Sequence, residues 1–263
     1  MESSILVTRD DYIARKKSKK KIVMITAYDA AFASIMDSSG AIDVILVGDS
    51  LGMAVQGQNT TQKVRMEHMV YHTEIVARTA PSIPVIADLP YLAFEDPDEA
   101  LKNAKALTAV GAKGVKIEGD KPEVVRRITS AGIPLIGHLG LLPQTARNFK
   151  VQGKDKADAE RIVQEALDLQ DCGAAAIVLE CVPRSLAASI SEALEIPTIG
   201  IGAGPDCDGQ VLVVHDMLGL SSGHTAKFVK KYTDLHSTVR GALVEYADEV
   251  RKGSYPSDAH SYH

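Results

Sequence analysis

Gly114-Val115-Lys116-Ile117-Glu118-Gly119 is a short apolar run between two glycines that ends in a lysine and a glutamate. Buried without partners, two such charges would cost several kcal/mol, so a strand that ends this way holds them for a purpose. The layout recurs along the chain. Val44-Ile45-Leu46-Val47-Gly48 runs into Asp49, Val85-Ile86-Ala87 into Asp88, Pro134-Leu135-Ile136-Gly137 into His138, and Ala176-Ile177-Val178-Leu179 into Glu180. Apolar runs this short, punctuated by Gly and Pro, are how strands covered on both faces read.

Extended outward, the pattern predicts strands at 22–26, 43–48, 84–88, 114–118, 134–138, 175–180, 197–201 and 211–215. Between most of them lie helices near 29–39, 66–80, 97–110, 121–131, 156–172 and 183–193. Spacings of three and four, as in Ile162, Ala166 and Leu169, and signals such as Asp96-Pro97 and Gly111 mark the helices. Eight doubly covered strands in this order suggest closure into a (β/α)8 TIM barrel, with a doubly wound open sheet as the alternative. The chain's 263 residues match the roughly 250 that one such barrel takes. Residues 1–263 thus read as a single barrel domain, with a short N-terminal helix within 9–20 and a helical C-terminal tail from 227. Two long loops, 49–65 and 139–155, follow strands and fall at the C-terminal face, where barrel loops build active sites.

A charged fraction of 24% and a net charge of -5 describe a soluble globular chain with no basic excess for nucleic acid or a membrane surface. The basic cluster Arg15-Lys16-Lys17-Ser18-Lys19-Lys20-Lys21 reads as a solvated helix end. No run approaches the roughly 18 apolar residues of a membrane span, and no signal peptide is evident, so a cytoplasmic location is expected. Three cysteines without CxxC spacing fit a reducing compartment.

In a barrel the strand ends converge, bringing Asp49, Asp88, Lys116, Glu118, His138 and Glu180 to one mouth. Carboxylates gathered in a cavity repel, and protons or a cation must relieve them. A divalent cation is the simpler answer, and hard oxygen ligands without a thiolate select Mg2+ or Mn2+ over Zn2+. Weaker signals carry less. His68 and His72 lack the HExxH glutamate and read as ordinary helix residues. Gly200-Ile201-Gly202-Ala203-Gly204 suits either a phosphate site or a close approach of ligand to backbone.

Val47-Gly48-Asp49-Ser50-Leu51-Gly52-Met53, Ala87-Asp88-Leu89-Pro90, Val115-Lys116-Ile117-Glu118-Gly119, Gly137-His138-Leu139-Gly140-Leu141, Leu179-Glu180-Cys181-Val182-Pro183 and Ile199-Gly200-Ile201-Gly202-Ala203-Gly204 occur in this order in the ketopantoate hydroxymethyltransferases, which the chain resembles from about residue 9 onward. It departs from them by being shorter between Phe149 and Lys150. The resemblance implies a barrel of the phosphoenolpyruvate/pyruvate type, a Mg2+-dependent transferase of pantothenate and coenzyme A synthesis, and a homodecamer.

The implied reaction moves a one-carbon unit from 5,10-methylenetetrahydrofolate to 3-methyl-2-oxobutanoate. By resemblance Asp49 and Asp88 are direct Mg2+ ligands and Glu118 a ligand directly or through water. Ser50 and Lys116 hold the 2-oxo acid, Glu180 accepts a proton, and His138 is a polar contact rather than the base. A carbon–carbon lyase of the same superfamily and a non-catalytic 2-oxo acid binder are the competing readings. Against the lyase, no cysteine lies in loop 49–65 or 139–155.

Overall fold

The computed structural model describes residues 5–146, 148, 150–221 and 226–263; Phe149, beside which the chain is short, lies outside them. Its eight strands form a closed, all-parallel barrel in sequence order. They are β1 (Ile22–Thr26), β2 (Val44–Val47), β3 (Val85–Asp88), β4 (Gly114–Glu118), β5 (Leu135–Gly140), β6 (Ala176–Glu180), β7 (Thr198–Ile201) and β8 (Gly209–Leu212). The helices of this unit are α1 (Arg9–Lys17), α2 (Ala30–Ser39), α3 (Leu51–Ala54), α4 (Met66–Thr79), α5 (Pro97–Ala109), α6 (Pro122–Thr129), α7 (Lys156–Asp171) and α8 (Arg184–Ala193). Local chemistry sets their ends. Asp96 caps the first turn of α5 through the amides of Asp98 and Glu99, with Pro97 at its opening. Gly40 closes α2 in the left-handed conformation.

Strand residues alternate between lumen and helix layer, and the lumen set decides what the barrel can do. Ile22, Met24, Val44, Leu46, Ile86, Ile136, Ala176, Val178, Ile199 and Val211 form one buried cluster. Lys116 and Glu118 are two residues apart and share a face. Pairing sets Asp88 beside Lys116 and Glu118 beside His138. His138 and Glu180 lie two residues beyond Ile136 and Val178, so both point into the lumen. The apolar floor and the charged mouth are therefore successive layers of one interior.

Below the floor, Leu6 and Tyr12 join the lumen cluster, and both are almost fully buried. Helix α1 carries Tyr12 and is bolted on from underneath. Arg9 Nε donates to the Ala174 carbonyl at 3.1 Å, and Lys16 Nζ donates to Ser191 and Ile196 carbonyls at 2.6 and 3.0 Å. Lys16 also pairs with Asp208 at 3.1 Å, and Arg15 pairs with Asp43. The solvated helix end expected here is thus corrected for Arg15 and Lys16. Exposed carbonyls at the barrel's N-terminal end need donors, and Arg9 and Lys16 supply them, while Arg15 meets the Asp43 carboxylate.

Two other expectations shift. The last strand is Gly209–Leu212 rather than 211–215, and the apolar residues after it turn into a short helix, α9 (Val214–Met217). Gly209 carries no apolar signal, yet a Cβ there would meet the Ile22 carbonyl oxygen at 2.6 Å, so only glycine brings this strand against β1. The chain also divides into two compact units, one up to Val213 and one from Val214 to His263, where a barrel with a tail was expected. The second holds α9 and α10 (Leu235–Lys252), which starts at the Asp234 cap and ends at Gly253 with φ 70°. No helix among the described residues is long and apolar enough to cross a membrane.

Gly140 ends β5 with φ 93°, and a Cβ there would lie 2.3 Å from the Glu180 carbonyl oxygen. Gly119 shares the positive φ, but its Cβ would meet only Leu142 at 3.5 Å. Gly140→Ala is expected to cost about 3 kcal/mol of stability and Gly119→Ala about 1 kcal/mol, read from urea unfolding midpoints of the two variants.

Candidate active site

Five of the predicted residues, Asp49, Asp88, Lys116, Glu118 and His138, are each no more than 5% exposed at the C-terminal mouth of the barrel. Lys116 Nζ lies 2.7 Å from Asp88 Oδ1. The other oxygen of Asp88, Oδ2, accepts from the Asp49 backbone amide at 3.0 Å. His138 stands between two carboxylates: Nδ1 is 3.5 Å from Glu118 Oε1, and Nε2 is 3.2 Å from Glu180 Oε2. These are ion-pair contacts, since neither ring N–H is aligned on its partner. Glu180 is the most open member, half-buried at the rim. The next residue, Cys181, has φ 49°, a left-handed conformation rare outside glycine that turns the chain sharply after the carboxylate.

Two residues that the sequence did not point to complete the network. Gln144, in the loop after β5, is 2% exposed. Its Nε2 donates to Asp49 Oδ2 at 2.7 Å and to the Leu89 carbonyl at 3.0 Å, while its backbone amide donates to Glu118 Oε2 at 3.0 Å. Tyr28, two residues beyond β1, places its hydroxyl 2.7 Å from Ser50 Oγ. Its carbonyl accepts from His72 Nδ1 at 2.6 Å, which gives His72 a structural role. A hydroxyl just past a strand end was a readable signal for Tyr28. Gln144 gave none, being a neutral side chain in an aperiodic loop.

Burial and charge shift these groups in opposite directions. Burial, then the charges of Asp88 and Glu118, push the Asp49 carboxyl well above the usual carboxylate range, with Lys116 and Gln144 only partly opposing. For Lys116 burial favours the neutral amine, but Asp88, Glu118 and Asp49 outweigh it and hold the proton more tightly than usual. Burial also opposes ionisation of Glu118, and contact with His138 and Lys116 overcomes it, lowering that carboxyl. For His138 burial acts against the imidazolium, yet Glu118 and Glu180 raise it to about 9.

The donor set fits a hard divalent cation at the two aspartates. Asp49 Oδ1 receives no hydrogen bond from the described residues, Asp88 Oδ1 is a buried oxygen without an aligned donor, and Asp49 is destabilised as an anion. Among the described residues no three His, Cys, Asp or Glu side chains are grouped to chelate an ion. Glu118 spends one oxygen on Gln144 and turns the other to His138, so a contact through water suits it better than direct ligation. Two carboxylates with water and substrate oxygens are a common Mg2+ arrangement.

A closed parallel barrel with titratable strand ends packed into its C-terminal mouth defines the (β/α)8-barrel enzymes. Phosphonopyruvate hydrolase in complex with oxalate and Mg2+ superposes with a TM-score of 0.64 at 14% identity, over 96% of this chain and 93% of that one. A 2,3-dimethylmalate lyase of the PEP mutase/isocitrate lyase superfamily gives 0.63 at 17% identity, over 98% and 93%. At such identities the likeness is one of fold. In sequence, the chain belongs to the ketopantoate hydroxymethyltransferase family, whose profile matches residues 7–258. The 3-methyl-2-oxobutanoate hydroxymethyltransferase of Pelobacter propionicus is 47% identical, over 97% of each chain. That of Syntrophus aciditrophicus is 49% identical, over 94% of this chain and 93% of its own.

With its ring held between Glu118 and Glu180, His138 is expected to stay protonated through neutral pH and to titrate at about 9. Replacing Glu118 by Gln removes one of the two negative partners and is expected to bring the titration down toward the ordinary ~6.5 of histidine. Imidazole proton shifts followed by NMR against pH measure both, and an unshifted titration in the variant would remove Glu118 as the cause.

Proposed function

We propose that the protein transfers a hydroxymethyl unit from 5,10-methylenetetrahydrofolate to 3-methyl-2-oxobutanoate, giving 2-dehydropantoate for pantothenate and coenzyme A synthesis. The observation that carries this reading is the sealed cluster of Asp49, Asp88, Lys116 and Glu118 with Glu180 at its open edge. It sits on a chain 47% identical, nearly end to end, to proteins bearing that name.

The substrate is a small anion whose carboxylate and keto oxygens lie side by side. Asp49 and Asp88, with Glu118 beside them, would hold Mg2+, which would supply positive charge to the keto oxygen. Lys116 fixes Asp88 and offsets the charge of the incoming acid. The Tyr28–Ser50 hydroxyl pair offers a donor to the substrate carboxylate.

Glu180 accepts the C3 proton. His138 contacts Oε2 of that carboxylate and orients it, leaving Oε1 unengaged by the described residues. As an imidazolium at neutral pH, His138 is a poor base, which leaves the proton to Glu180. The C3–H electron pair passes into the enolate, and C3 then bonds to the donor's methylene carbon. Both C–N bonds of the donor's methylene bridge break, a water molecule supplies the hydroxyl and one proton, and the proton held on Glu180 supplies the other, so tetrahydrofolate leaves with both former bridge nitrogens protonated.

Proton removal needs no folate in this scheme. In heavy water with Mg2+, the enzyme is expected to exchange the C3 hydrogen of 3-methyl-2-oxobutanoate, and Glu180→Gln to slow that exchange by at least roughly 10²-fold. His138→Asn should slow it less. Proton NMR of the C3 signal over time decides, and full exchange in the Glu180 variant with loss in the His138 variant would transfer the base role.

We place the enzyme in the cytoplasm as a closed homo-oligomer, a decamer. Support comes from α10, which buries none of its residues and exposes Val239, Leu243, Tyr246 and Val250. Their alternating four- and three-residue steps make an apolar stripe such as a partner covers. Sedimentation is expected to give a species larger than a tetramer, and a monomer at micromolar concentration would refute the assembly.

A further inference from the structure

Gln144 is a neutral side chain buried at the edge of a cluster of charges, and the donor end of its amide is fully spent there. Nε2 carries two N–H bonds and meets two acceptors, Asp49 Oδ2 at 2.7 Å and the Leu89 carbonyl at 3.0 Å. Two acceptors on one atom fix which end of the amide faces them. The main chain that carries it is pinned as well. Its N–H donates to Glu118 Oε2 at 3.0 Å and its carbonyl accepts from Gln62 Nε2 at 2.8 Å. The Thr145 and Ala146 amides close a turn onto the Leu142 carbonyl at 3.1 and 2.8 Å. Asp49 thus meets a donor that is itself held in place from several sides.

What matters for a cation is which oxygens remain. Asp49, Asp88 and Glu118 each have one oxygen held by a neutral N–H: Asp49 Oδ2 by the Gln144 side chain, Glu118 Oε2 by the Gln144 main chain, and Asp88 Oδ2 by the Asp49 amide at 3.0 Å. Asp49 is left with one oxygen to offer. Divalent ions differ in what they ask of a carboxylate. Mg2+ takes single oxygens at about 2.1 Å in a strict octahedron, whereas Ca2+ takes roughly six to eight oxygens at about 2.3–2.6 Å and often both oxygens of one carboxylate. To give both, Asp49 would have to surrender a charge-assisted hydrogen bond. Resting on the Mg2+ reading under Proposed function, we infer that Gln144 sets the ion preference of this site: it holds Asp49 to a single ligating oxygen and so disfavours Ca2+ against Mg2+. The clamp on Asp88 comes from a backbone amide, which no substitution removes. The Gln144 side chain is the clamp that a substitution can release.

The test needs neither substrate nor turnover. Mn2+ bound to the protein is followed by EPR while Mg2+ or Ca2+ is titrated against it, which gives the ratio of the two affinities. Asp49→Ala, expected to abolish Mn2+ binding, identifies the ion counted as the one at the mouth. In the wild-type protein Mg2+ is expected to displace Mn2+ at lower concentration than Ca2+ does. Gln144→Met keeps length and bulk but has no N–H, and is expected to move the ratio about tenfold toward Ca2+, the worth of roughly one charge-assisted hydrogen bond. Gln144→Asn draws the amide back by one methylene and is expected to move the ratio the same way, which keeps the test open if the Met variant fails to fold. Gln62→Met cuts the bond to the Gln144 carbonyl and spares the carboxylates, so the ratio is expected to stay at its wild-type value. An unmoved ratio in the Gln144 variants, with Mn2+ still bound, would overturn the inference and leave the Mg2+ reading standing. So would a wild-type site that favours Ca2+, or an equal shift in Gln62→Met, since loop order and not the amide would then carry the preference. Absence of Mn2+ binding in the wild type, or binding undiminished in Asp49→Ala, would overturn the Mg2+ reading and the inference with it.

Discussion

A lysine ammonium buried against an aspartate, Lys116 on Asp88 at 2.7 Å, is the contact on which the rest of the mouth depends. Burying either charge alone would cost several kcal/mol, and the pair is tolerable because Glu118 and Asp49 add further negative charge around the same ammonium. The lysine in turn keeps the carboxylates together. The contact also polices the fold. A slip of β4 by one residue would turn Lys116 and Glu118 into the apolar helix layer and Val115 and Ile117 into the mouth. Register and electrostatics enforce each other, so the barrel closes correctly only where its chemistry is assembled. This compensation is incomplete by design of the chain, since four carboxylates face one lysine and one histidine. The remaining negative charge is what a bound cation, as proposed above, would offset.

Much of this was legible before any coordinates. Parallel strands buried on both faces read as apolar runs, and an ionisable residue at the end of a run has nowhere to go but the mouth. Asp88, Lys116, Glu118, His138 and Glu180 were found that way because their strands place them. Gln144 escaped the reading because nothing local places it. Its position depends on the loop after β5 folding over the barrel, and its importance lies in three donations that only tertiary structure reveals. The start of β8 was missed for a related reason: Gly209 pairs with β1 by lacking a side chain, which leaves no apolar trace. The basic end of α1 looked like solvent-facing charge because composition cannot say whether a lysine meets water or a row of carbonyls.

The two loops that follow β2 and β5 differ from the strands in how they are held. Strand-end side chains are fixed by ladder register, whereas Gln62 and Gln144 connect the loops to each other and to Asp49 by single hydrogen bonds. A rim built this way tolerates change in length and sequence so long as the glutamine pair persists.

The apolar plug of Leu6 and Tyr12 under the lumen cluster makes the barrel a vessel with a single opening. Under the proposed reaction, water, cation, keto acid, donor and product would all pass the same doorway. What rests deepest would arrive first and depart last, so the architecture would favour one sequence of arrivals: the keto acid before the bulky carrier, and the spent carrier out before the product. Traffic control of this kind needs no moving gate. It follows from closing one end of a tube.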